Sequence, residues 1–254
     1  MSDRRIQTID RVSDIFKCFD ENTTELALGE ISEETGINAS TLHSLLASLK
    51  SNGFIEQDLA SRKYSLGYHL LYLGNLVSSS LDIVKSASDA LDALQQRFNE
   101  TIHLATLNRD HIVYLDKRNS SKQLQLYTKI GIRVPAYATS TGKMMLSYKG
   151  TDYIIEHFPE KLKKLTENTI TSRELLIEEC KKIKLKGFAF DNEENLEGLS
   201  CISAPIFDYN NRVNFAISIA GPTQRIDSLK TEENINFIKA QTLSVSKKLG
   251  YFPK

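Results

Sequence analysis

The sequence predicts two domains: an N-terminal winged helix-turn-helix, mostly α, and a C-terminal α+β domain built on an antiparallel sheet. Three observations carry this. Residues 28–49 hold two short helical patterns broken at Gly36. Residues 54–66 hold two short apolar segments around a polar turn, the pattern of a small hairpin wing. From residue 101 the apolar period changes from between three and four to two, and the alternating segments are joined by hairpin-type turns and interleaved with helices.

The elements follow in order. Ile9, Val12, Phe16 and Phe19, with Ile15 beside them, recur at helical spacing. A short helix over 30–35 points Ile31 inward, and Gly36 stops it because glycine accepts the left-handed conformation at a helix end. Asn38 caps a third helix, whose Leu42, Leu45, Leu46 and Leu49 form one apolar stripe that ends at Asn52-Gly53. Phe54-Ile55 and Lys63–Leu66 are the wing strands, and Asp58–Arg62 the turn between them. The winged helix-turn-helix is expected to occupy 1–68. Linker helices are expected over 69–98, with stripes at Leu70, Leu73, Leu76, Val77 and at Ile83, Ala87, Leu91, Leu94, Phe98, separated by Ser78–Ser80. Two such stripes suit packing on a partner chain. Residues 99–254 form the second domain, with strands over 101–107, 111–117, 124–128, 187–191, 201–207 and 213–220. Its helices fall over 142–148, 152–157, 172–186 and 229–249.

Composition narrows the function. The chain has 254 residues, 32 Lys/Arg and 32 Asp/Glu, so any basic surface for nucleic acid must be local. Its three cysteines, Cys18, Cys180 and Cys201, are widely spaced and form no paired motif, which argues against disulfides and cysteine zinc sites. No signal-peptide core and no run of about 18 apolar residues is present, so the cytoplasm is the expected compartment. No metal, cofactor or catalytic residue is expected: His103 and His111, with Asp110 and Asp116 nearby, lack metal-ligand spacing, and His157 is expected to be a solvated cap.

The third helix carries Ser40, Thr41, His43, Ser44, Ala47 and Ser48 opposite its leucines. Small hydroxyl side chains let a helix enter the major groove and donate to base edges or phosphates. Residues 1–75 hold seven Lys/Arg against eleven Asp/Glu, an unusual balance for a DNA-binding domain. The acids, however, avoid 35–55 entirely. Arg4 and Arg5 on the N-terminal arm, and Arg62 and Lys63 on the wing, stand where phosphate contacts are needed. Double-stranded DNA is the expected partner, bound by two domains on one palindromic site.

These segments resemble the IclR family. The residues that carry the resemblance are 28–37 (LGEISEETGI), 39–49 (ASTLHSLLASL) and the wing at 53–55 and 62–67. In the second half they are 133–143 (RVPAYATSTGK), 187–194 (GFAFDNEE), 198–208 (GLSCISAPIFD) and 218–222 (SIAGP). The resemblance covers about 6–250. It implies a GAF-like C-terminal domain that senses a small organic acid, a homodimer or tetramer, and the role of a transcription regulator, more often a repressor. Two positions depart from the family pattern: Ser44 stands where arginine often follows the histidine, and Ala220 where a second pocket serine is common.

For the effector, the helix start at Ser140, Thr141 and Gly142 offers free N–H groups and hydroxyls to a carboxylate. The resemblance places Asp191, Cys201 and Ser218 in the same pocket, with Asp191 assigned to an effector hydroxyl or a fixed backbone donor. Leu104, Tyr127 and Tyr137 are candidate apolar walls. The competing reading is an enzyme with Cys201 as nucleophile and a relic DNA-binding domain, but the sequence places no histidine near Cys201 to serve as its base.

Overall fold

The computed structural model describes residues 6–20, 22–79, 82–122 and 128–251. The chain divides into two compact units, 1–80 and 81–254.

The first unit holds α1 (Gln7–Lys17), α2 (Leu28–Thr35), α3 (Ala39–Ser51), β1 (Ile55–Gln57), β2 (Tyr64–Leu66) and α4 (Tyr68–Ser79). Gly36 takes φ +67° and ends α2 as expected. The Asn38 side chain accepts the Thr41 N–H at 2.9 Å and starts α3. Leu42, Leu46 and Leu49 pack with Ile15, Ile31, Ile55 and Tyr64 into one core. In α1 the stripe is centred on Ile15, which is fully buried; Val12, Phe16 and Phe19 flank it, and Ile9 lies in solvent. β1 and β2 pair antiparallel, and Leu26 bridges to Tyr64.

The second unit holds α5 (Asp82–Phe98), β3 (Thr101–Asn108), β4 (His111–Arg118), β5 (Arg133–Pro135), α6 (Ser140–Lys149), α7 (Thr151–His157), α8 (Arg173–Lys186), β6 (Ala189–Asn192), β7 (Leu199–Phe207), β8 (Val213–Pro222), α9 (Thr223–Ser228) and α10 (Glu232–Lys248). The strands form one antiparallel sheet in the order β5-β4-β3-β8-β7-β6. One face packs Ile102, Leu104, Ile202, Ile217 and Ile219 against α5, α9 and α10. The other packs Ala105, Tyr114 and Ala216 beneath α6, α7 and α8. Leu104 therefore belongs to the α5 side, and the apolar wall expected of it is a core position there.

Several expectations change. The linker helices part company, α4 falling in the first unit and α5 in the core of the second. Of the strand expected over 124–128, residues 123–127, Tyr127 included, lie outside the described residues. Residues 133–135 form a short edge strand on β4 instead. The terminal helix begins only at Glu232, because the Thr231 hydroxyl accepts the Asn234 N–H, and α9 precedes it as a separate turn. His157 ends α7 half-buried, its Nδ1 3.0 Å from the Tyr153 carbonyl of the last turn and its ring stacked on Tyr153. Among the described residues no helix is long and apolar enough to cross a membrane.

Candidate functional site

The first unit presents α3. Ser40, His43, Ser44, Ala47 and Ser48 are exposed, and Thr41 is half-buried. Ser40 Oγ donates to Asn38 Oδ1 at 2.9 Å, and Ser44 Oγ donates to the Ser40 carbonyl at 3.2 Å. These hydroxyls still have lone pairs and rotational freedom to offer a partner. The acids of α2 are occupied or turned out: Glu30 reaches back to accept the Ala27 N–H at 2.7 Å, and Glu33 and Glu34 are exposed. In the wing, Asp58 Oδ1 accepts the N–H groups of Ala60 and Ser61, which holds its carboxyl below the usual range and shapes the turn. Arg62, at φ +60°, stands exposed at its end, with Lys63 half-buried beside it. Arg4 and Arg5 lie outside the described residues.

The second unit concentrates polar groups where α6 begins over the sheet. The Thr139 hydroxyl accepts the Gly142 N–H at 3.1 Å and caps α6, so the helix starts two residues earlier than its apolar pattern suggests. Ser140, Thr141 and Lys143 are all within 2% of full burial. Gly142 has a packing reason to be glycine: a Cβ there would lie 2.2 Å from the Ala136 carbonyl oxygen. Tyr137 is spent on the fold, donating its hydroxyl to the Lys163 carbonyl at 2.8 Å.

The sheet face below shows two polar rows. In one, Asp191, Cys201, Ala220 and Thr101 stand opposite one another across β6, β7, β8 and β3. In the next, Ser203, Ser218 and His103 do the same across β7, β8 and β3. Asp191 and Cys201 are thus direct neighbours, with Ser218 one row away. Asp191 Oδ1 accepts the Glu194 N–H at 2.8 Å, the fixed backbone donor expected for it. Burial raises its carboxyl to about 7, helped by the negative Glu194 and opposed by that N–H bond and by Lys143. The same burial, with Asp191 beside it, pushes the Cys201 thiol well up. A thiol held protonated is a poor nucleophile.

Two buried groups escape sequence patterns. Lys143 donates its ammonium to Glu194 Oε1, an ion pair closed across 51 residues. His103 stacks on Tyr114 with ring centroids 4.3 Å apart, its Nε2 lying 2.6 Å from Thr128 Oγ1. Burial and the nearby Lys117 lower its pKa to about 3, so the ring is neutral. The alternation of 101–107 signals that His103 and Ala105 share a face, but not what stands opposite.

The raised carboxyl has a measurable consequence. Between about pH 4, where an unfolded aspartate ionises, and pH 7, the folded chain keeps a proton that the unfolded chain has lost, so stability falls as pH rises through this window. Asp191→Asn keeps an oxygen for the Glu194 N–H and carries no charge. Its stability relative to wild type is expected to rise with pH across the window, by at most about 1.4 kcal/mol per pH unit. Thermal unfolding at pH 4 to 8 checks this; parallel curves for the two proteins would contradict it.

Residues 75–247 match the family described as bacterial transcriptional regulator IclR C-terminal, and residues 8–59 match the IclR helix-turn-helix domain. The chain is 33% identical over 249 residues to the HTH-type transcriptional regulator XynR of Escherichia coli K12, covering 97% of this chain and 98% of that one. It is 31% identical over 228 residues to the DNA-binding transcriptional repressor YiaJ of the same organism, covering 88% and 81%. The crystal structure of the Thermotoga maritima IclR superposes with a TM-score of 0.75 at 29% identity, over 97% of this chain and all of that one. Helix-turn-helix and sensor fold occur here in one polypeptide, in the order and at the lengths these relatives share: the chain belongs to the IclR family of bacterial transcriptional regulators.

Proposed function

We propose that this regulator is a repressor that binds a palindromic operator as a homodimer or tetramer and changes its hold on DNA when a small organic acid enters the C-terminal unit. The observation that carries the reading is the meeting of the buried start of α6, at Ser140, Thr141 and Gly142, with Asp191, Cys201 and Ser218 on the polar rows of the sheet face beneath it. A domain with only a structural role has no use for so many buried polar groups, each of which costs free energy unless bonded. The helix start supplies N–H groups and a partial positive charge for the carboxylate. Asp191, near neutral, donates to the effector or takes up a proton when the anion arrives.

DNA contact is assigned to Ser40, Thr41, His43, Ser44 and Ser48 at the groove, and to Arg62, Lys63, Arg4 and Arg5 at the phosphates. Assembly is supported by α4, whose Tyr68, Leu71, Tyr72 and Leu76 line one side of the helix and are 48–76% exposed. Control follows by population shift: the effector favours one arrangement of the assembled sensor units, and that preference sets the spacing of the two α3 helices. The three cysteines are free, as suits a protein acting beside DNA in the cytoplasm.

The test is an anisotropy titration of labelled DNA from upstream of the chain's own gene, at low salt, with and without a panel of organic acids. Saturable binding that one acid weakens is expected. No binding to that DNA at low salt would overturn the regulator mechanism, and binding indifferent to every acid would overturn the effector.

A further inference from the structure

The edge of the sheet has a notch where β6 begins. β6 first pairs at Ala189↔Ser203, so among the described residues Ala204–Phe207 of β7 have no strand on that side. This edge is closed to an added strand: Pro205 has no N–H, and the Phe207 N–H donates to Ser246 Oγ at 2.9 Å. The notch opens into a cavity of about 240 Å³ between the C-terminal ends of α6 and α8 and the side of α10. Tyr148, Gly187, Phe207, Lys239, Leu243 and Tyr251 line it. Along α6, Tyr148 stands about 12 Å from Ser140 at about 1.5 Å per residue, so the cavity is separate from the start of that helix.

Its walls are aromatic. The Phe207 ring stacks on Tyr251 with centroids 4.8 Å apart and meets Tyr148 edge-on at 5.3 Å, arrangements that a further ring can extend. An apolar cavity of about 150 Å³ takes a benzene ring, so this one has room for a ring and a short arm. Its rim is basic. Lys239 is half-buried, its Nζ donating to the Lys186 carbonyl at 2.6 Å and lying 5.0 Å from the Phe188 ring centroid. Lys184 Nζ stands 5.7 Å from the centroid of Tyr148. Among the described residues no carboxylate pairs with either ammonium, and no Asp or Glu lines the cavity. An ammonium has three protons to donate, so Lys239 keeps two for a ligand. Burial, with Tyr251 nearby, pushes the Tyr148 hydroxyl up, which keeps it protonated and a donor. Donors and uncompensated positive charge beside aromatic walls complement a flat apolar body that ends in an anion.

We propose that this notch is a second ligand site, for a one-ring aromatic carboxylate: the ring lies against Tyr148, Phe207 and Tyr251, and the carboxylate meets Lys239. The site stands independently of the acid-sensing reading of the α6 start. It bears on α10, which is tied to α5 by Arg97–Glu233 at 2.6 Å and Lys248–Asp89 at 2.7 Å. A ligand held there by the native chain alone adds to the stability of the second unit.

The chain has no tryptophan, so Tyr251→Trp keeps a ring on Phe207 and sets a sole reporter in the cavity. The experiment is fluorescence titration of this full-length variant with phenylacetate, phenylacetamide and phenethylamine, which share a ring and a short arm and differ in charge. A saturable change with phenylacetate is expected, with Kd below about 1 mM and about tenfold tighter than for phenethylamine. Calorimetry of the wild type is expected to give the same order, which shows that the tryptophan did not create the site. Lys239→Met in the reporter chain should weaken phenylacetate about fivefold and leave phenylacetamide within about twofold, and Lys239→Arg should restore most of the loss. Leu243→Phe crowds the cavity and should weaken all three. A melting temperature within a few degrees of the parent shows that each variant is folded. No saturable binding of phenylacetate, equal affinity across the charge series, or Lys239→Met and Leu243→Phe both without effect overturns the site. Calorimetric binding that leaves the tryptophan emission unchanged puts the acid elsewhere and also overturns it. Binding that appears only after residues 252–254 are deleted gives the cavity to the chain's own end, and overturns it too.

Discussion

Replacing Lys143 with methionine is expected to destabilise the C-terminal unit by about 3–5 kcal/mol, because it strands a buried carboxylate. Lys143 is 1% exposed and Glu194 5%, and the ammonium lies on Glu194 Oε1. Glu194 is also the knot of its loop: its N–H donates to Asp191, and its carbonyl accepts the Thr169 hydroxyl at 2.7 Å. Loss of the lysine leaves Glu194 either to ionise unpaired or to take up a proton, and it pushes Asp191 further up, since Lys143 is one of the charges holding it down. For a unit of this size the fall in melting temperature is of the order of 10 °C. The double variant Lys143→Met, Glu194→Gln removes both charges and should recover most of the loss. Scanning calorimetry of the three proteins decides. A single variant within about 1 kcal/mol of wild type would mean that the pair is not desolvated as the geometry has it.

The second large effect concerns DNA. Ser44→Glu is expected to weaken operator binding at least 100-fold, about 2.7 kcal/mol, while leaving the fold intact. Ser44 is exposed, and among the described residues its side chain hydrogen-bonds only the Ser40 carbonyl, so the change costs the helix-turn-helix little. It sets a carboxylate on a surface whose acids are absent from residue 35 to residue 55, the surface proposed to face phosphates and base edges. Ser44→Arg should act in the opposite sense: tighter binding, and a plot of log affinity against log salt steeper by about 0.9, the slope of one added phosphate contact. Anisotropy titrations from low to moderate salt measure both, with circular dichroism as the check on folding. Affinity within twofold of wild type for both variants would move the DNA contact off α3.

The N-terminal unit was nearly all legible because its determinants are local. Asn38 caps the helix whose leucines it precedes, and Gly36 ends the helix before it; a window of a few residues contains both signals. The α1 stripe was less sharp, since five apolar residues compete for one buried side and only packing against α2 and β1 selects Ile15. In the second unit, alternation and the turn at 208–211 located β7 and β8. The three-residue β5 is too short for a period to show; it exists because β4 has an edge to pair with. The break between α9 and α10 hangs on one hydroxyl cap at Thr231.

By itself, then, the sequence determined most of the helices and strands, that one helical surface is free of acid, and that its motifs resemble those of one family. Periodicity and capping act over a few residues, so a short window suffices for them. Which side chains meet was decided only by the sheet order, which sets β3 beside β8 and so places His103 next to Ser218, and by the packing of α6, which carries Lys143 to Glu194. Strand register and helix docking are satisfied between residues far apart in the chain, and no local pattern encodes a distance of that kind.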